Sequence, residues 1–183
     1  MKYTSEVFQR LSRGQFISSN SIDAETRAIY SDIEENQQEY EDYFSKIDFL
    51  LSSGDGFYYF SRKEAKVITE NKLQSLFSWI DYLDFLKTYD TTFDAGTQFS
   101  LVQMEVKLST IPGLKEKLVQ MFPDKSTNRQ KLETLAAAME SMGIAEMVNE
   151  VDGTYQVTNA FHYIEQIILC INIDEDVKDE IPQ

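Results

Sequence analysis

A chain of 183 residues with 42% hydrophobic and 26% charged side chains has the size and apolar content of one ordinary globular unit or two small ones, which excludes a disordered or fibrous chain. Lys and Arg number 17 against 31 Asp and Glu, a net charge of −14, and a surface that negative repels phosphate backbones at long range. The longest apolar run, residues 164–173, falls short of the roughly 20 residues a membrane span needs; residues Met1 to Glu6 lack a signal-peptide core and the single Cys170 cannot form an internal disulfide, so the expectation is a reducing cytoplasm with no membrane partner.

Val7, Phe8 and Leu11 recur at helical spacing, Gly14 breaks the pattern, and Phe16-Ile17 reads as a short strand. Ser21 or Asp23 can cap the next helix, whose apolar positions Ile29, Ile33, Tyr40, Tyr43, Phe44 and Ile47 predict one long helix or two in series. Its opposite face carries Glu34, Glu35, Glu39, Glu41 and Asp42, read as solvated surface. From Ile47 the period drops to two, and the aromatic runs on either side of Gly54-Asp55-Gly56 predict a β-hairpin. A phosphate loop would have to feed a helix N-terminus, whereas this one feeds a strand.

The same order then recurs. A helix over about 72–89, a short run at Gln98-Phe99, and a helix through Leu101, Met104 and Leu108 precede a break at Pro112-Gly113. A helix over 114–122 stops at Pro123, and Ser126-Thr127-Asn128 caps another carrying the stripe Leu132, Leu135, Ala136, Met139 and Met142, closed by Gly143. Residues 144–151 and 154–158 flank Asp152-Gly153 as a second hairpin, and a final helix carries Ile164, Ile167, Ile168 and Ile171. Helices followed by a hairpin, twice, predict a mainly α fold with β-hairpins, an α+β class built as tandem winged-helix domains. The expected divisions are 1–70, 71–171 and an acidic flexible tail at 172–183. Residues 1–70 and 71–171 each hold 8 basic and 13 acidic side chains, and the tail holds 1 and 5, so the charge lies mostly on the folded body.

The residue types that catalysis needs are sparse. One histidine, His162, excludes any site built on two imidazoles, and with Cys170 it cannot supply a zinc set; both read as helix residues. The chain also lacks the phosphate-loop, dinucleotide and nucleophile-elbow motifs. The expectation is a protein that is not an enzyme and holds no cofactor and no metal. The conspicuous feature is instead an apolar surplus on the helix at 72–89. Leu73, Leu76, Phe77, Ile80 and Leu83 make one stripe, and Trp79, Tyr82, Phe85, Leu86 and Tyr89 another. Such a helix is wedged between the two domains, or is a subunit or peptide interface with Trp and Tyr as anchors, and both can hold at once; the second stripe is the candidate partner-binding set. Lys125, Arg129 and Lys131 gather at the start of the helix that a winged helix would use for recognition, and are the DNA-contact candidates.

Read together, Leu11 to Ile17, Tyr40 to Phe44 leading to Gly56 to Phe60, Asn128 to Leu132 leading to Met142-Gly143-Ile144, and Tyr155 to Thr158 leading to Phe161 resemble the MukE/MksE family, the winged-helix subunits that accompany the kleisin in bacterial condensin-like complexes. In length the chain looks more like the shorter MksE and Wadjet-type relatives. The resemblance implies a cytoplasmic, nucleoid-associated homodimer, with dimer contacts in the first winged helix. Its partners would be a kleisin subunit of the MukF or MksF kind and, through it, an SMC-like ATPase, with DNA met only within the assembled complex. The role would be chromosome condensation and partition or, in the Wadjet branch, plasmid defence. The competing reading is a winged-helix transcription regulator that binds DNA by itself.

Overall fold

The computed structural model describes residues 1–61 and 70–169, with side chains from residue 77 onward in the second stretch. Element order is α1 (Thr4–Leu11), β1 (Ile17–Ser18), α2 (Ala24–Glu35), α3 (Gln37–Ser45), β2 (Leu50–Gly54), β3 (Phe57–Ser61), α4 (Glu70–Tyr89), β4 (Gln98–Ser100), α5 (Leu101–Lys107), α6 (Leu114–Met121), α7 (Asn128–Met142), β5 (Ala145–Asn149) and β6 (Thr154–Val157). A last helix, α8, covers residues 161–169. The class is α+β. Cys170, Ile171 and the acidic segment 172–183 lie outside the described residues, as do the side chains of Leu73 and Leu76.

The predicted long helix is two in series, broken at Asn36, whose side-chain amide donates to the Asp32 carbonyl (2.9 Å). Asp23 is the cap: its Oδ2 accepts from the Thr26 amide (2.8 Å) and hydroxyl (2.7 Å). Those bonds, the Thr26 hydroxyl foremost, hold the Asp23 carboxyl below its ordinary range. The strand expected from Ile47 begins only at Leu50. Asp48 takes a left-handed φ of 62°, residues 46–48 form a turn after α3, and Ile47 is left exposed.

Both sheets are three-stranded and antiparallel, and both place the last strand in the middle: β1-β3-β2 and β4-β6-β5. In the first hairpin Gly54 opposes Phe57 across a two-residue turn, Asp55-Gly56. In the second, Asn149 opposes Thr154 and a bulge follows Met147, so the turn is four residues, Glu150–Gly153, longer than the Asp152-Gly153 pair predicted from sequence. On α7 Thr127 and Gln130 form a reciprocal capping box, and Gly143 closes the helix at φ 75°.

Two clusters of buried side chains lie under these sheets. The smaller holds Val7, Leu11, Ile17, Ile29, Ile33, Tyr40, Phe44, Leu51 and Tyr58, all from the first 61 residues. Tyr40 donates to Asp32 Oδ2 (2.5 Å); burial, then the Asp32 carboxylate, push its phenol up to about 12. The larger cluster is built by α4 to α8 and β4 to β6, and it also takes Phe16 and Phe57 from the first half. Alternation explains the transfer. Ile17 points into the smaller core, so its neighbour Phe16 points to the opposite face, where the second half lies.

Candidate interaction surfaces

The junction between the halves is densely bonded. Glu146 on β5 accepts from the Ser21 hydroxyl and the Ile22 amide, both at 2.6 Å. Asn20 accepts the Asn159 amide on its side chain (2.8 Å) and donates to the Val157 carbonyl (3.3 Å), while Gln156 donates to the Asn20 carbonyl (3.2 Å). The Phe16 amide donates to the Met142 carbonyl (3.0 Å). Phe16, Phe57, Tyr59 and Tyr163 stack around one another, with neighbouring centroids 4.8–6.3 Å apart. Gly56 is required here twice over. Its φ is 77°, and a Cβ would sit 2.2 Å from the Asn159 amide nitrogen and 2.9 Å from the Ser19 hydroxyl. None of Ser19, Asn20 or Asn159 carries a sequence signal beyond that of an ordinary polar loop.

The proposed partner-binding stripe lies in the chain's own larger core. Trp79, Phe85, Leu86 and Tyr89 are buried there, while Tyr82 is half-buried between Trp79 (ring centroids 5.3 Å) and Phe122 (5.5 Å). Burial pushes the phenols of Tyr82 and Tyr89 up. Of the other stripe Phe77 is exposed, and Ile80 and Leu83 are partly covered. α4 packs against α6, where Lys117 pairs with Asp84.

The three DNA-contact candidates have different surroundings. Lys131 is buried, and its ammonium donates to the Phe122 carbonyl (2.6 Å) and to the Lys125 carbonyl, tying the 122–127 loop over the start of α7. Arg129 pairs with Glu133 at 2.8 Å. Lys125 lies 3.3 Å from Asp124. Beside them is an open depression of about 470 Å³ lined by Asp124, Lys125, Ser126, Gln130, Glu133 and Thr134, a mixed surface with more acid than base. The exposed face of α7 continues with Ala137 and Glu140.

The first unit has an open side. Phe8, Phe44, Phe49 and Phe60 form a ring cluster with centroids 4.8–6.4 Å apart, and around it Phe8, Tyr43, Ile47 and Leu50 are exposed. Sequence periodicity placed these residues in elements without showing that the core beneath them is too small to cover them.

Among the described residues, one group has the composition of a cation site: Asp94, His162 and Glu165, whose ligand atoms lie within 4.8 Å of one another. Lys87 already fills the cationic role. Its ammonium sits 2.8 Å from Glu165 and 2.6 Å from the Phe93 carbonyl, and His162 Nε2 is 3.0 Å from Asp94. The Lys87–Glu165 ion pair fastens α8 to α4, and the His162–Asp94 hydrogen bond fastens α8 to the loop before β4. Among the described residues no helix is long and apolar enough to cross a membrane.

No curated protein matches the chain. The sequence model of one family, condensin complex protein MksE, matches residues 2–168 of the 183 and so takes in both sheets, both cores and the junction between them. On that match the chain belongs to the MksE family of condensin complex proteins.

Proposed function

We propose that this protein is a non-catalytic subunit of a bacterial SMC condensin-like complex: a homodimer of tandem winged-helix chains that holds a kleisin subunit and, through it, an SMC-like ATPase. The family match over residues 2–168 carries this reading. We read residues 1–70 and 71–171 as the two winged helices, since each half repeats a short strand, helices and a hairpin with the same strand order. The exposed Phe8, Tyr43, Ile47 and Leu50 around the first aromatic cluster are the surface we assign to dimerisation. The Trp79, Tyr82, Phe85, Leu86 and Tyr89 stripe acts in partner binding by shaping the fold, with Tyr82 its only member outside the buried set.

DNA is met within the assembled complex. Lys125 and Arg129 are the side chains we assign to it; Lys131 supports them by holding the loop that carries Lys125. A regulator that reads DNA alone fits less well, because Glu133 and Glu140 lie on the exposed face of the helix that would enter the groove. Co-expression with the products of neighbouring genes tests the reading. A kleisin-like protein should co-purify, and the isolated chain should bind a short duplex weakly at physiological salt. Failure to retain any kleisin-like partner, or tight sequence-dependent binding by the chain alone, would overturn it. Deleting the gene separates the two roles, since chromosome condensation predicts missegregation and plasmid defence predicts more efficient plasmid uptake.

A further inference from the structure

The turn of the second hairpin is built to hold an apolar side chain in water. Ser100 Oγ donates to the Asp152 carbonyl (3.1 Å) and the Leu101 amide to the Gly153 carbonyl (3.0 Å), which pins the turn to the start of α5. Within the turn, Asn149 Oδ1 accepts the Val151 amide (2.9 Å) and the Thr154 hydroxyl donates to Asp152 Oδ1 (2.7 Å). A Cβ on Gly153 would come 3.2 Å from the Arg129 guanidinium and 3.3 Å from Leu101, so the turn is packed on its inner side. Its only apolar side chain outside that packing, Val151, is 94% exposed. The Ser100 and Leu101 bonds set the start of α5 beside the turn, and there Val102 and, one helical turn on, Val106 are 48% and 63% exposed. Single exposed aliphatic residues are ordinary on a surface, but apolar residues exposed on two elements that are bonded to each other extend the apolar surface beyond one residue, as binding sites do. β-branched side chains are stiff at χ1 and lose little freedom when covered.

The charge around these valines selects what can cover them. Glu105 lies between Val102 and Val106 in sequence, and Glu150 and Asp152 flank Val151, all exposed. Of the nearby cations, Lys107 lies over the Tyr89 ring at 4.3 Å, and Arg129, assigned above to DNA, lies against the inner side of the turn at Gly153 rather than among the valines. A phosphate backbone would be repelled. A second copy presenting the same face would set carboxylate against carboxylate. We infer that the turn of the second hairpin and the adjoining α5, Val102, Val106 and Val151 with Glu105, Glu150 and Asp152 around them, are a docking surface for a segment of another protein that presents aliphatic side chains flanked by Lys or Arg. The inference holds independently of which complex the chain serves.

The test uses the full chain and three labelled probes followed by fluorescence anisotropy: a helical peptide of about 18 residues with a Leu stripe flanked by Arg and Lys, the same peptide with Glu in place of the basic residues, and a short DNA duplex. The cationic peptide should bind and the other two should not. The double variant Val106→Asp, Val151→Asp should bind the cationic peptide at least about tenfold more weakly, with an unchanged melting temperature because both positions are exposed. The direction is discriminating. The variant is more acidic than the parent, so an attachment that is only electrostatic would tighten. No binding to the parent chain, equal or tighter binding to the variant, or preference for the duplex would each overturn the proposal.

Discussion

The two three-stranded sheets share a strand order, yet the units built on them reach opposite solutions to covering an apolar face. The second unit closes its core with five helices, α4 to α8, and with two phenylalanines taken from its neighbour. The first, with α1 to α3, leaves an aromatic cluster partly open and places Phe16 and Phe57 in a core that is not its own. Small domains bury too little surface to be robust alone. The difference therefore teaches that the first unit depends on contacts outside itself: the bonded junction on one side and, in our reading, a second copy on the other.

Phe57→Ala should have the largest effect and is the sharpest way to break this contrast. The residue sits on a first-unit strand but is buried in the second core, and removing such a ring costs about 3–5 kcal/mol. Trp79 is the only tryptophan and lies in the second core, so its fluorescence during urea unfolding reads that core. The Trp79 transition is expected to move to lower urea together with the circular dichroism signal. A Trp79 transition that stays in place while the first unit unfolds earlier would mean that the two cores are energetically separate.

Lys131→Met comes next. The methionine keeps the apolar stem but leaves the Phe122 and Lys125 carbonyls without their donor, at a cost of about 1–3 kcal/mol. Lys125→Gln, at the partly exposed lysine, should leave the melting temperature within error. Thermal denaturation of the pair separates a lysine that holds the fold from one whose charge the fold does not need. If Lys131→Met melts like the parent chain, its carbonyl contacts are dispensable.

Glu146→Gln probes the junction directly. Its two oxygens accept from Ser21 and Ile22, and an amide can offer only one acceptor there, so about 1–2 kcal/mol should be lost. Hydrogen exchange should rise at Ser21 and Ile22 before it rises in either core. Uniform exchange across the chain would count against a localised clasp.

Much of the fold was legible because local chemistry spoke for it. The cap within Ser126-Thr127-Asn128, the closing Gly143, the choice of Ser21 or Asp23 as a cap and the Gly54-Asp55-Gly56 turn are signals whose physics is contained within a few residues. The interaction surfaces were less legible. Alternation shows that Phe16 and Ile17 face opposite ways, but not that a second core waits on the far side. Trp79 and its stripe read as core, as interface or as both, and it is helices α5 to α8, far along the chain, that cover them. Lys131 carried a signal that charge obscured: it is four residues before Leu135, on the buried stripe of α7, where a lysine must find acceptors. The second turn misled because Asp152-Gly153 fits a two-residue hairpin, whereas the bulge after Met147 shifts the pairing and leaves Val151 outside it.

The smallest predicted effect separates the units by their helix caps. In the first, α2 is capped by a carboxylate, Asp23; in the second, α7 is capped by the Thr127 hydroxyl, which does not titrate in the acid range. The Thr26 hydroxyl and amide bonds lower the Asp23 carboxyl in the folded chain relative to the unfolded one. A lowered carboxyl contributes stability that is present above the ordinary carboxylate range and is lost as pH falls through the folded value. Asp23→Ala should therefore cost about 1 kcal/mol near neutrality and less in acid, where the protonated carboxyl no longer acts as a full acceptor. Melting temperatures of parent and variant should keep their gap from neutrality down to the ordinary carboxylate range, about pH 4, and converge only as pH falls further, through the lowered folded value. Thr127→Ala should instead hold a constant gap, because its acceptor is present at both ends of that range. Parallel acid profiles for the two variants would show that the Asp23 cap does not act through its charge, and the contrast between the caps would then be one of geometry alone.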